Sequence, residues 1–208
     1  LSIQENHIRT NPEFQVFQQI YTIEIDAMKA NLNAVITRNA PLNVDALINN
    51  ALNLIENAKG RLSLFDMLHN MLEFDDSTYS HCMNVGLICH LFAGWMKMSE
   101  EETKLATACG ILHDLGKLLV DQSIIQKPAG LTDSEFAEIK KHPFAGYCLL
   151  MEQGANDTIC NAALMHHERC DGSGYPSGIK DEEIDDMAML VAIADVYDAM
   201  TSTRVYRG

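Results

Sequence analysis

The chain has 208 residues, 47% apolar and 21% charged, a composition that supports a buried core and excludes a disordered tail or a fibrous repeat. Its 15 Lys and Arg stand against 29 Asp and Glu, for a formal charge of -14. Such a surface repels a nucleic-acid polymer, whereas a small anionic substrate stays open because bound divalent cations invert the local field.

Up to about Leu72 the chain carries only His7 and His69 among its eight histidines, and no recognisable motif. The clearest periodicity follows Pro41: Val44, Leu47, Ile48, Ala51, Leu52 and Ile55 recur at helical steps, with Asn43 placed as cap. A second helix is expected after Gly60, carrying Leu62, Leu64, Phe65, Leu68 and Leu72 and closed by Glu73, Asp75 and Asp76. Further helices are expected at about 78–97, 100–118, 132–153, 155–167 and 186–201. The most apolar stretch, Cys82 to Met98, includes Asn84, His90 and Lys97 and is too short and polar to span a membrane. Lys127-Pro-Ala-Gly130 precedes a Thr132 cap, and Asp171-Gly-Ser-Gly-Tyr-Pro-Ser-Gly178 reads as a long loop. No run alternates with a period of two, so the fold class is all-α. Six cysteines without a CxxC pair argue against a disulfide framework or a zinc ribbon and for a reducing, cytoplasmic setting. A sensor or membrane segment could still lie upstream.

From His81 onward, potential ligands arrive one group per helix: His81, His113-Asp114, His142, His166-His167 and Asp195. Successive groups lie about one helix and one loop apart, so neighbouring helices of a bundle can point them at one centre. Five histidines, two aspartates and no cysteine suit iron, manganese or zinc. Seven ligands exceed the needs of one metal that keeps an open position, so two metals are the natural reading. Asp114 is the bridging candidate, since a carboxylate can address two cations. Lys117 lies one turn further along, able to hold a phosphate oxygen, and water would be the nucleophile of an in-line phosphoryl displacement. Any one histidine is more often a core or surface residue, the reading given to His7, His69 and His90. Number and spacing lift the others out of it.

These motifs resemble the HD-GYP phosphodiesterases, a branch of the HD metal-dependent phosphohydrolases. The resemblance runs from about Asp76 to Gly208 and rests on His81-Cys-Met-Asn-Val85, His113-Asp-Leu-Gly-Lys117, His142-Pro143, His166-His-Glu168, Asp171-Gly-Ser-Gly-Tyr-Pro176 and Asp195-Val-Tyr-Asp-Ala199 through Arg204. It implies an HD-type helical bundle with a metal centre over 76–208, without the further helix pair that family domains carry. Residues 1–75 would form an N-terminal helical coupling, linker or dimerisation segment. The implied activity is hydrolysis of cyclic di-GMP to pGpG and toward GMP, by attack of a hydroxide bridging two divalent metals. Iron or manganese is favoured, with zinc, nickel, magnesium or calcium able to occupy the same donors.

By position, the resemblance assigns His81, His113, Asp114 and Asp195 to a first metal site. Asp114 would bridge to a second held by His142, His166 and His167. Lys117 and Asp114 carry catalysis, and Lys117, Asp198, Arg204 and Arg207 are the implied substrate contacts. Asp171, Gly172, Gly174, Tyr175 and Pro176 form the signature loop. Three-metal members place a Glu one turn before the first His, where Ser77 stands here with Asp76 beside it, so two metals are expected. The implied partners are cyclic di-GMP, a GGDEF-type or other signalling protein, and a second copy in a homodimer, in a bacterial cytoplasm. The alternatives are a phosphohydrolase for another cyclic dinucleotide or nucleotide, such as cyclic GMP-AMP, and a non-catalytic signalling module that binds a partner through the loop. The intact ligand set argues against the last.

Overall fold

A computed structural model of the chain describes residues 8–58, 60, 63–71, 77–127 and 129–201. Among these there are helices and no strands, an all-α fold. Helix α1 (Pro12–Arg38) starts where Asn11 accepts from the Glu13 amide and Pro12 occupies the first turn, and stops at Asn39, in the left-handed region with φ 51. It buries Phe14, Phe17, Tyr21, Ile25, Met28, Leu32 and Val35, a stripe at three- and four-residue steps that packs on the bundle. Apolar residues such as Val16 and Ile23 lie on its exposed faces, so its amphipathic pattern is weaker than that of the next helix and the sequence assigns no helix here.

Helix α2 (Val44–Asn57) is capped by Asn43, as expected, and buries Leu47, Ala51 and Leu54. Leu52 is only partly buried, and Leu54 takes the central place in its stead. Helix α3 spans Leu64–Met71. Leu62, Leu72, Glu73, Asp75 and Asp76 lie outside the described residues.

Helix α4 (Thr78–Trp95), capped by Ser77, is the axis of the bundle: every residue from Ser80 to Cys89 is buried. A helix enclosed on all sides has no polar face, which is why this stretch is the most apolar of the chain. Helix α5 (Glu100–Leu112) opens on a capping box of Ser99 and Glu102 and crosses α4 at two glycines. A Cβ on Gly110 would lie 2.7 Å from Gly86 Cα, and one on Gly86 would lie 2.5 Å from Ile111 Cγ1. The two backbones therefore touch, and this contact brings the imidazoles of α4 and α5 to one centre.

Two expected helices are interrupted, and both breaks serve the site. The helix expected over 100–118 ends at Leu112, and Leu115–Leu119 form a 3-10 turn in which Lys117 N–H bonds Asp114 O. The tighter turn lets Gly116 lie on the helix that begins at His142: a Cβ there would fall on the His142 carbonyl and lie 2.6 Å from Gly146 N. Helix α6 (Gln122–Ile125) is a single turn. The helix expected over 132–153 divides into α7 (Asp133–Ile139), capped by Thr132, and α8 (His142–Glu152). Pro143 supplies the reason, since it cannot donate within a helix interior but suits a first turn. Helix α9 (Asp157–Met165) and helix α10 (Asp186–Thr201) complete the bundle. Side chains of α1 and α2 share one buried core with those of α4, α5, α9 and α10. No helix among the described residues is long and apolar enough to cross a membrane.

Candidate metal centre

Each ligand candidate sits at a helix end or faces the bundle axis. His81 lies in the first turns of α4, His113 caps α5, and Asp114 follows in the bend. His142 is the first residue of α8, His166 caps α9 with His167 next to it, and Asp195 projects from α10. The structure brings all seven together. Asp114 stands at the centre, fully buried, and its two oxygens face different partners. Oδ2 lies 3.4 Å from both His81 Nε2 and His113 Nε2, whereas Oδ1 lies 3.1 Å from His142 Nε2 and 3.5 Å from His166 Nε2. Two groups of donors could thus each hold a metal ion, His81 with His113 and Asp114, and Asp114 with His142, His166 and His167. Asp195 Oδ1 joins the first group 3.1 Å from His81 Nε2.

The outward nitrogens explain why the inward ones are available. Nδ1 of His113 donates to Gly110 O at 2.7 Å, that of His142 to Ile139 O at 2.7 Å, and that of His166 to Ala163 O at 2.9 Å. His81 Nδ1 meets Asp198 Oδ2 at 2.7 Å. A proton committed to Nδ1 leaves a lone pair on Nε2, the tautomer that ligates metals. The consequence is a set of acceptors crowded together: His142 Nε2 and His166 Nε2 are 3.2 Å apart. Among the described residues, His81 Nε2, His113 Nε2 and Asp114 Oδ1 have no hydrogen-bond partner. Buried polar atoms are rarely left so, and acceptors facing one another call for cations between them. The donor set fits divalent metals.

Electrostatics agree for the second donor group, whereas metal-free His81 holds a proton that it must give up to ligate. Burial pushes His166 down to about 4, and burial together with neighbouring His166 pushes His167 down to about 2, so both are neutral ligands at pH 7. For His81 burial acts in the same direction, but Asp114, Asp195 and Asp198 outweigh it and raise the imidazole to about 10. Burial would also favour the acid form of Asp114, yet Lys117 and His113 hold its carboxyl well below the usual range.

Lys117 Nζ donates to Asp114 Oδ2 at 2.5 Å, and one-fifth of its side chain is exposed, so it reaches from the metal position toward solvent. Asp198, expected as a substrate contact, faces elsewhere: it is buried behind His81 and accepts from Asn84 Nδ2 at 3.2 Å. Both of its oxygens are engaged in orienting other side chains. Arg204 and Arg207 lie outside the described residues.

The signature loop packs against the second donor group. Asp171 Oδ1 accepts from the Ser173 amide and hydroxyl, Gly172 has φ 80, and the Tyr175–Pro176 peptide is cis. A Cβ on Gly174 would fall on the Glu168 and Arg169 backbone. Tyr175 N–H bonds His167 O at 3.1 Å, and its ring centroid lies 4.7 Å from that of His167. Glu168, whose role the sequence reading missed, is buried and accepts from the Ser177 amide at 2.7 Å and the Gly178 amide at 3.1 Å. It ties the returning strand of the loop to the residue beside the ligands. Its position directly after His166-His167 was the available signal.

A family model described as HD domain matches residues 49–208. A cyclic di-GMP phosphodiesterase of Pseudomonas aeruginosa is 37% identical over 134 residues, covering 64% of this chain and 32% of that protein. The 3'3'-cGAMP-specific phosphodiesterase 1 of Vibrio cholerae is 37% identical over 131 residues, covering 63% and 30%. The chain thus spans about a third of the length of these relatives. A solved HDG"Y"P protein from Bdellovibrio bacteriovorus superposes with TM-score 0.68 at 21% identity, over 89% of this chain and 61% of that one, which shows a shared fold.

Proposed function

The chain belongs to the HD domain family, and from that membership and the geometry of its centre we propose that it is a metal-dependent phosphodiesterase that hydrolyses cyclic di-GMP. One observation carries the reading: a single buried carboxylate, Asp114, presents each of its oxygens to a separate set of imidazole nitrogens. Such a bridge suits two-cation hydrolysis of a phosphoester. Two divalent cations, iron or manganese by preference, would supply a water of lowered pKa and neutralise charge on the reacting phosphate. His81, His113, Asp114 and Asp195 would hold the first and Asp114, His142, His166 and His167 the second.

The protein's own groups then have distinct tasks. The Nδ1–H donors lock the imidazoles so that no reorganisation is needed when charge develops. Lys117, poised beside Asp114 and open to solvent, takes a non-bridging phosphate oxygen. Arg204 and Arg207 are proposed further phosphate contacts. Opening the ring adds one water across one phosphodiester: a P–O bond forms from the water, the P–O3' bond breaks, and one proton passes to the departing 3'-oxygen. A second hydrolysis of pGpG would give GMP. Residues 1–75 would couple an input to this centre.

The test is anaerobic loading with ferrous iron or manganese, followed by cyclic di-GMP turnover with products resolved by mass spectrometry. Conversion to pGpG that Asp114→Ala abolishes supports the reading; unchanged turnover in that variant refutes it. The Vibrio cholerae relative favours a second reading, 3'3'-cGAMP as substrate, and side-by-side rates on the two dinucleotides decide between them.

A further inference from the structure

A buried chain of hydrogen bonds runs from α1 to the metal centre. The Tyr21 hydroxyl donates to Asn84 Oδ1 at 2.7 Å, with Ser80 O at 3.3 Å; Asn84 Nδ2 donates to Asp198 Oδ1 at 3.2 Å; and Asp198 Oδ2 lies 2.7 Å from His81 Nδ1. Tyr21 is 2% exposed, Asn84 1%, Asp198 3% and His81 5%, so solvent cannot readily stand in for a missing member. Tyr21 also precedes residue 49, where the family match begins.

We propose that Tyr21 is a positioning residue of the metal centre, acting through Asn84 and Asp198 to hold His81 with Nε2 aimed at the first metal position. The links have consistent polarity. The two ends of an amide have nearly the same shape; the Asp198 carboxylate, which only accepts, takes the NH2 end of Asn84, and the Tyr21 proton meets Oδ1 and holds the amide in that plane. A carboxylate that accepts from the amide on one oxygen takes the His81 Nδ1 proton on the other, which fixes the tautomer and the ring plane. Helix α1 is tied to α4 at a second point outside the relay, because Asn33 Oδ1 accepts from Tyr79 Oη at 2.9 Å, two residues before His81. The register of α1 on α4 thus reaches His81, a ligand candidate of the first site, through the relay.

The proposal rests on the metal reading above, and cobalt(II) binding tests both separately. Titration of the metal-free chain, followed by visible absorption, should resolve two binding steps. Removing a partner that bonds a ligand directly costs about 10- to 100-fold in metal affinity. Asp198→Asn is expected in that range, and Tyr21→Phe, further along the chain, at about three- to tenfold. Both should weaken one step and shift its spectrum while leaving the other step intact. Leu32→Val, a packing change on the same helix about three turns from Tyr21, should lower the melting temperature without this selective loss. Wild-type affinity and spectrum in Tyr21→Phe overturn the proposal, as does an equal loss in Leu32→Val. Failure of the unaltered chain to bind cobalt overturns the metal reading beneath it.

Discussion

Replacing Gly116 by Ala probes the link between chain geometry and chemistry most directly. The added Cβ would fall on the carbonyl of His142 and lie 2.6 Å from Gly146 N and 2.9 Å from His142 C. A carbon against a backbone polar atom settles at about 3.3 Å, so the 3-10 turn and the first turn of α8 must separate by at least about 0.7 Å. Neither side is a flexible side chain that can swing away. The turn carries Asp114 and α8 carries His142, so the 3.1 Å approach of His142 Nε2 to Asp114 Oδ1 must open with it. Overpacking of this kind costs about 1–3 kcal/mol of stability, and a misplacement near 1 Å costs about 100-fold in rate. Urea unfolding of the metal-free chain measures the first, and turnover with metal content measures the second. Gly94→Ala is the control: its Cβ meets nothing within 4 Å, and in a helix it should be neutral or stabilise by up to about 1 kcal/mol. If Gly116→Ala matches the unaltered chain in stability, metal content and turnover, the contact does not set the site and the reasoning fails.

Gly174→Ala should displace the loop from Glu168 and Arg169 and depress turnover by about tenfold or more, with a melting temperature close to that of the unaltered chain because the loop adds little to the core; a large drop in melting temperature would contradict this. Metal uptake at pH 7 should release a proton from His81, which is raised to about 10 when metal-free, and first-site affinity should climb about tenfold per pH unit toward that value. His166 and His167, pulled down to about 4 and 2, release none at that pH, so calorimetry in buffers of different ionisation enthalpy should find proton release accompanying the first-site metal, and its absence would contradict this. The same raised value stabilises the metal-free fold fully below about 6.5, and the gain is lost as pH rises through 10. Chelation should lower the melting temperature, since metal held at about 100 times its dissociation constant contributes about 2.7 kcal/mol; an unchanged melting curve would speak against a structural stake in the metals.

Fold class and ligand identity were legible in the chain because both rest on local rules. Helical periodicity and caps such as Asn43 and Thr132 act within a few residues, and seven His and Asp side chains in five groups at one group per helix have few reasons to recur without a shared centre. The break at Asp114 was not legible, since Gly116 rests there on a helix distant in sequence, whereas the break before His142 follows from Pro143. A substrate contact at Asp198 is implied by the family resemblance alone; the packing of α10 on α4 places its carboxylate behind His81. Likewise Tyr21 carries no signal in the sequence beyond its place in an apolar stripe. Its hydroxyl gains meaning from Asn84, 63 positions away. Local propensities determine which helices form and which donors they bear, while the division of Asp114 between two donor groups depends on helix crossings that only tertiary packing can decide.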